Sequence, residues 1–363
     1  MSERVDVVVI GAGIMGLATA EVLARRGARV ACLDAGAPGH AQSAGAARGF
    51  RHLHADPALT RLAVESRAAW RALETRAGTE LLERGGMLRL GADVEPEIAA
   101  LRAVGVQARV VGADEAAARF PALAREAGPL LLDPDAGAVR ARAAIRALAA
   151  RVGSRLVRAR VTAIEPAAGS VRVVTSTGTV LECARCMVCA GAGTERLVAP
   201  LGIALERDRR AAFRLTFRMP AAPAGPAPVW SDRSGRFGER AYGAPEGPDR
   251  YAVGLIATTT PLETPDAEAL PGGAVDVRTA RRRLIAYVRA AMPGLDPDPV
   301  DAVLRLITPL RGPDEDRFGL WRRDAVLVFA GHNVFKHAPR LGELLADAAL
   351  DGRVDPLLRP PAG

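Results

Sequence analysis

Val5-Asp6-Val7-Val8-Val9-Ile10-Gly11-Ala12-Gly13-Ile14-Met15-Gly16 is the stretch that decides the fold. Its first six residues form a β-branched run of the kind that fills a strand buried on both faces of a parallel sheet. Residues 17–26 then carry apolar side chains at helical spacing, with Gly27 as the C-cap. A second strand over residues 28–33 ends on Asp34. In a βαβ unit that holds a dinucleotide each of these residues has a task. Gly11 permits the tight turn, Gly13 lets backbone approach a pyrophosphate, and Gly16 lets the helix pack close on the strand. Free N–H groups at the helix start, beside Ala12 and Ile14, suit the phosphates. Asp34 is placed to accept hydrogen bonds from an adenosine ribose, and its charge argues against NADP. A bare Gly-x-Gly-x-x-Gly fits many turns; the order strand, glycines, helix, strand, acid makes it specific. The motif alone does not separate NAD from FAD.

At 363 residues the chain exceeds a usual domain of ~100–200 residues, so two interlocked domains are expected. Apolar residues make up 49% and charged residues 25%, and no apolar run reaches the ~18 residues of a membrane span. No secretory signal is visible at the N-terminus, so a cytoplasmic location is expected. Basic residues exceed acidic ones by 49 − 41 = 8, but they are scattered, which gives no argument for a nucleic-acid partner. Lys336 is the single lysine and Asn333 the single asparagine. An ammonium is a compact point charge and a guanidinium a planar fork, so a lone lysine among many arginines marks a candidate site. Cys183-x-x-Cys186-x-x-Cys189 imitates metal-ligand spacing, yet a strand turns residues three apart to opposite faces. These cysteines read as small buried hydrophobes, His52 and His54 as loop or packing residues, and no metal is expected.

Beyond Asp34, residues 35–48 form a loop of small residues in which backbone can run close to a ligand. Asp56-Pro57 reads as an N-cap with proline at N1, followed by an apolar helix face of Leu59, Leu62, Ala63, Trp70 and Leu73. Residues 86–90 read as a strand, and 96–103 and 113–119 as short helices. A helix over 140–152 leads into strands over 155–164 and 170–175. Short aromatic and β-branched strands over 212–260 suggest an antiparallel sheet. A basic amphipathic helix over 277–292 precedes a strand over 325–330 and a closing helix over 341–350.

Six pieces in order are specific: the N-terminal fingerprint, residues 43–51, Ala118-Arg119-Phe120-Pro121, Asp135-Ala136-Gly137-Ala138-Val139, Cys189-Ala190-Gly191-Ala192-Gly193-Thr194, and Phe335-Lys336-His337-Ala338-Pro339-Arg340-Leu341-Gly342-Glu343. With them the chain resembles, over nearly its whole length, the D-amino-acid oxidase and monomeric sarcosine oxidase superfamily. The resemblance implies an α/β fold: a Rossmann-like FAD/NAD(P)-binding domain plus an α+β substrate domain with a mainly antiparallel sheet. It implies a discontinuous FAD domain of residues 1–85, 140–208 and 305–363, and a substrate domain of 86–139 and 209–304. Implied cofactor contacts are Gly11, Ala12, Gly13, Ile14, Gly16, Asp34, Ala35, Ser43, Gly45, Arg48, Val161, Ala190, Gly191, Gly331 and Lys336. No cysteine precedes Pro313-Asp314 in Leu304-Arg305-Leu306-Ile307-Thr308-Pro309, so the FAD is expected to be non-covalent.

Oxidising an amine with a flavin needs a C–H bond held over N5 and positive charge near the flavin pyrimidine, which is a matter of orientation and electrostatics. The resemblance places Lys336 beside the flavin N1/C2 edge and a substrate carboxylate, with the closing helix adding its positive end. Gly331-His332-Asn333-Val334 is two residues shorter than the family turn. Arg48 is implied to lie by the flavin, Arg51 to grip a carboxylate bidentately, and Tyr242 to face the substrate. Ile256 stands where the sarcosine oxidase branch has an oxygen-activating lysine, which leaves O2 or another electron acceptor open. The expected activity is hydride transfer from the carbon beside a primary, secondary or cyclic amine, giving an imine. The alternatives are an amine dehydrogenase using a non-oxygen acceptor and a non-catalytic dinucleotide-binding scaffold. A monomer or small homo-oligomer with no membrane partner is expected.

Overall fold

The β-branched run forms β1 (Val5–Ile10), whose last four residues are buried because parallel strands flank it on both sides. These are β2 (Val30–Asp34) and the strand Val180–Val188. The structure, a computed structural model, describes residues 5–91, 94–127, 129–262, 275–312 and 316–360. Pro313 and Asp314 and the first four residues lie outside that set. The helix after the glycines, α1 (Ile14–Arg25), starts three residues earlier than its apolar spacing suggests, with Gly13 as N-cap. Gly11 has φ +104°, and a Cβ there would lie 2.4 Å from the Cys189 carbonyl oxygen. Only glycine fits that turn.

Eight strands make the sheet around β1, extended by Leu156–Arg158 beside β2 and by Val326–Gly331 beside Val180–Val188. The single strand expected over 155–164 is two. Leu156–Arg158 continues the parallel edge, whereas Val161–Ala167 turns away into an antiparallel hairpin with Ser170–Thr175. The closing helix begins at Ala338 and packs on α1, where a Cβ on Gly342 would meet the Ala18 carbonyl carbon at 2.8 Å. α2 (Pro57–Ala77) is capped by Asp56, which accepts from the Ala58 N–H at 2.8 Å. Residues 35–48 are not loop throughout: β3 (Ala47–Phe50) pairs with Gly137–Arg140 in a three-stranded sheet.

The second large sheet has nine strands and is antiparallel except where Val229–Asp232 runs parallel to Met87–Leu90. Its alternation decides what each face does. Phe213, Leu215, Phe217, Trp230, Tyr251 and Val253 form one apolar layer with Leu284, Tyr287 and Val288 of the helix Val277–Ala291. Arg214, Tyr242, Ala252 and Arg305 line a cavity on the other side. Asp301–Ile307 pairs along its length with Arg210–Arg218, so the boundary read between residues 304 and 305 falls inside a strand.

Candidate active site

One cavity of about 580 Å³ is lined at once by Gly11, Gly13, Asp34, Arg48, Arg51, Tyr242 and Lys336. Its nucleotide end is built by the first βαβ unit. The Asp34 carboxylate accepts from the Ala12 N–H at 2.6 Å and from the Gly36 N–H at 2.8 Å, tying the glycine turn to the end of β2. A carboxylate has about four acceptor sites, so lone pairs remain for a ribose. Ser43 Oγ accepts from the Ile14 N–H at 3.0 Å, folding the small-residue loop over the start of α1. A Cβ on Gly13 would come within 3.2 Å of that oxygen. Gln42, overlooked in the sequence, anchors the same loop by donating to Thr308 Oγ1 at 3.1 Å.

Of the expected cofactor contacts, Gly11, Gly13, Ile14, Asp34, Ala35, Ser43, Arg48, Val161, Ala190, Gly191, Gly331 and Lys336 line the cavity, whereas Ala12, Gly16 and Gly45 do not. Ala12 is fully buried and acts through its N–H on Asp34. Gly16 lies in α1, where a Cβ would fall 1.8 Å from the Gly11 carbonyl oxygen. A Cβ on Gly45 would reach the Arg305 guanidinium.

At the opposite end the shortened turn closes through Asn333, which has φ +55°. Asparagine enters the left-handed region more readily than most residues, which gives the lone asparagine its reason. Phe335, Lys336 and His337 follow, all buried. Lys336 is only 4% exposed; its Nζ donates to the Asn333 carbonyl oxygen at 2.9 Å, and its own carbonyl accepts from Trp70 Nε1 at 2.7 Å. Asp316, which no motif announces, gathers this end. Its carboxylate accepts from Arg51 Nη2 at 2.5 Å and Asn333 Nδ2 at 2.7 Å, and lies 2.8 Å from His54 Nδ1 and 3.6 Å from Lys336 Nζ. The cations Lys336 and Arg51 and the His54 hydrogen bond hold Asp316 far below the usual carboxylate range against the opposing effect of burial. Burial pushes His54 down to about 3, so at neutral pH it donates to Asp316 as a neutral ring. Arg51 therefore faces the cavity already engaged, and His54 belongs to the charge network instead of plain packing.

The sheet face adds groups that sequence reading passed over. Arg214 pairs with Glu246, which also accepts from Thr216 Oγ1 at 2.9 Å. Tyr242 is 40% exposed and lies over Gly254, where a Cβ would meet its ring at 2.4 Å. Arg48 donates to the carbonyls of Gln42 at 3.1 Å and Ala44 at 2.5 Å and stacks 5.4 Å from the Phe335 ring centre. Ile256 lines the cavity as well. His52 Nδ1 meets the buried Asp133 at 2.9 Å. The cysteines are buried and form no disulfide among the described residues; Cys183 and Cys186 share one apolar layer instead of alternating, and Cys189 faces the other. Among the described residues no group of three or more His, Cys, Asp or Glu could hold a metal ion, and no helix is long and apolar enough to cross a membrane.

A glycine cradle at a helix start, an acid at the end of the second strand and a fixed cation across one cavity, within the ~300–1,000 Å³ of ligand sites, fit FAD. Such an arrangement defines a flavin-dependent oxidoreductase. The family model described as FAD dependent oxidoreductase (DAO) matches residues 6–348, and the chain belongs to that family. It is 30% identical to monomeric sarcosine oxidase of Streptomyces avermitilis, over 97% of this chain and 95% of that one. It is 29% identical to peroxisomal sarcosine oxidase of Homo sapiens, over 95% of this chain and 92% of that one. Its structure is similar to that of NikD, an unusual amino acid oxidase essential for nikkomycin biosynthesis, with a TM-score of 0.85 and 27% identity over 99% of this chain and 98% of that one.

Proposed function

We propose that the chain oxidises an amine that carries a carboxylate, taking a hydride from the carbon beside nitrogen while the nitrogen loses a proton, and leaving an imine. The observation that carries this reading is Lys336: the only lysine, buried at the cavity wall and fixed by the Asn333 carbonyl and Asp316. Bound FAD, held without a covalent link by the βαβ unit, supplies the hydride acceptor. The chain supplies orientation and charge. Lys336 holds a positive charge beside the cavity, Arg51 offers a guanidinium edge to a substrate carboxylate, Arg48 rests against Phe335, and the Tyr242 ring closes the sheet face. The discontinuous division into an FAD domain and a substrate domain goes with this reading. The test is anaerobic: D-, L-, N-methyl and cyclic amino acids are mixed with the holoenzyme and visible flavin absorbance is followed. Bleaching by at least one class is expected, and a flavin left oxidised by all of them overturns the proposal.

A second reading, a dehydrogenase passing electrons to an acceptor other than oxygen, is favoured by Ile256 in the cavity wall. It predicts that substrate-bleached enzyme regains its colour slowly in air and fast with an artificial acceptor.

A further inference from the structure

The cations around the cavity are unevenly matched. Lys336 and Arg51 share Asp316, and Arg214 has Glu246. Arg48 and Arg305 join no ion pair among the described residues. Among the described residues the Arg48 guanidinium donates to carbonyl oxygens, those of Gln42, Ala44 and Ala47. Arg305 Nη2 is buried without a hydrogen-bond partner among the described residues. The two guanidiniums flank one glycine: a Cβ on Gly45 would lie 2.3 Å from Arg305 Nη2 and 3.1 Å from Arg48 Nη1. Burial and then the neighbouring arginines lower Arg48 well below its ordinary value and Arg305 to about 10, with Glu246 opposing both; a guanidinium in a protein keeps its proton. Two adjacent, partly desolvated cations cost stability, and an unmet guanidinium N–H adds to that cost. Both costs are relieved when an anion enters, and a carboxylate fits the planar fork.

Register places Arg305 on the sheet face that lines the cavity. Arg305 stands opposite Ala212, and Arg214 and Tyr242 both stand opposite Gly254, so Arg305 shares the cavity face with Arg214 and Tyr242. The phosphate end has its own donors in the first-turn N–H groups of α1, which a helix leaves without intrahelical partners. We propose that Arg305 and Arg48 form a second carboxylate subsite, in addition to the one at Lys336 and Arg51. The preferred substrates are then dicarboxylic amino acids or amines. This rests on the reading that an amine bearing a carboxylate is oxidised in this cavity.

The test uses unreactive anions of matched length. Succinate and butyrate are titrated into the holoenzyme, and binding is read from the shift in the visible flavin spectrum, with FAD content measured in parallel. Succinate is expected to bind at least tenfold tighter than butyrate. Arg305→Leu should abolish the difference with FAD content maintained, and Arg305→Lys should restore part of it. Equal binding of the two anions by wild type overturns the subsite. So does an Arg305→Leu protein that loses FAD in step with succinate affinity, because the pair would then serve the cofactor. An enzyme that prefers succinate yet is bleached by no amine would overturn the proposed oxidation while leaving the anion subsite standing.

Discussion

Asp316 shows how one residue can organise a site without belonging to a motif. Its carboxylate meets Arg51, His54, Asn333 and Lys336, which lie far from it or from one another along the chain. Asp316→Ala strands the buried Lys336 and the half-buried Arg51, and loss of one partner of a buried ion pair costs ~3–5 kcal/mol. Denaturant unfolding should show a loss of that size, and Asp316→Asn, which keeps an acceptor oxygen, a smaller one. Lys336→Met removes a fixed charge from the cavity wall, and the loss of a preorganised electrostatic group lowers turnover by ~10²–10³-fold. Rapid-mixing measurement of flavin reduction checks it, and an unchanged rate would take Lys336 out of the chemistry. Lys336 could be singled out in the sequence because it is alone of its kind. Asp316 could not, since its importance lies only in which distant groups meet it.

Elements differ in legibility for a related reason. The β1–α1–β2 unit is local: every residue that defines it falls between Val5 and Asp34, and the turn, cap and strand signals all lie on that stretch. Gly16→Val would force a side chain onto the Gly11 carbonyl oxygen, at 1.8 Å for Cβ alone. Overpacking of this kind costs ~1–3 kcal/mol, and here it also displaces the glycine turn. The variant should purify with little FAD and a lowered melting temperature. Asp56→Ala serves as the contrast, since loss of the α2 cap costs ~0.5–2 kcal/mol and should leave FAD content at the wild-type level. The nine-stranded sheet was legible only as a type. Its strands come from four separated parts of the chain, Met87–Leu90, Arg109–Val111 with Leu130–Asp133, Arg210–Pro261 and Asp301–Ile307. Register between such parts is set by packing on the helix Val277–Ala291, so Arg214 and Arg305 could not be aimed into the cavity from sequence.

At the scale of the whole molecule, three histidines join segments that the chain keeps apart. His54 precedes α2, His337 opens the closing helix and bonds Ser66 of α2 at 3.1 Å, and His332 lies in the turn after Val326–Gly331. The rings of His54 and His337 lie 5.3 Å apart. Burial lowers all three, to about 3 for His54, about 4 for His332, and well below the ordinary range for His337. In the unfolded chain each would titrate near ~6.5, so between that pH and the folded value the unfolded state binds more protons. Stability is therefore flat in these groups above ~6.5 and falls as the pH drops below it. For His54 the loss by pH 5 is about 2 kcal/mol. Asp316 does not offset it, because its folded value lies so low that it stays ionised throughout that window. Denaturant unfolding at pH 7.5 and pH 5 should show the acid loss in wild type, and His54→Gln should reduce the difference by about 2 kcal/mol. A His54→Gln protein with the same acid sensitivity as wild type would mean that His54 accepts a proton in the folded state, with Asp316 as its ion-pair partner.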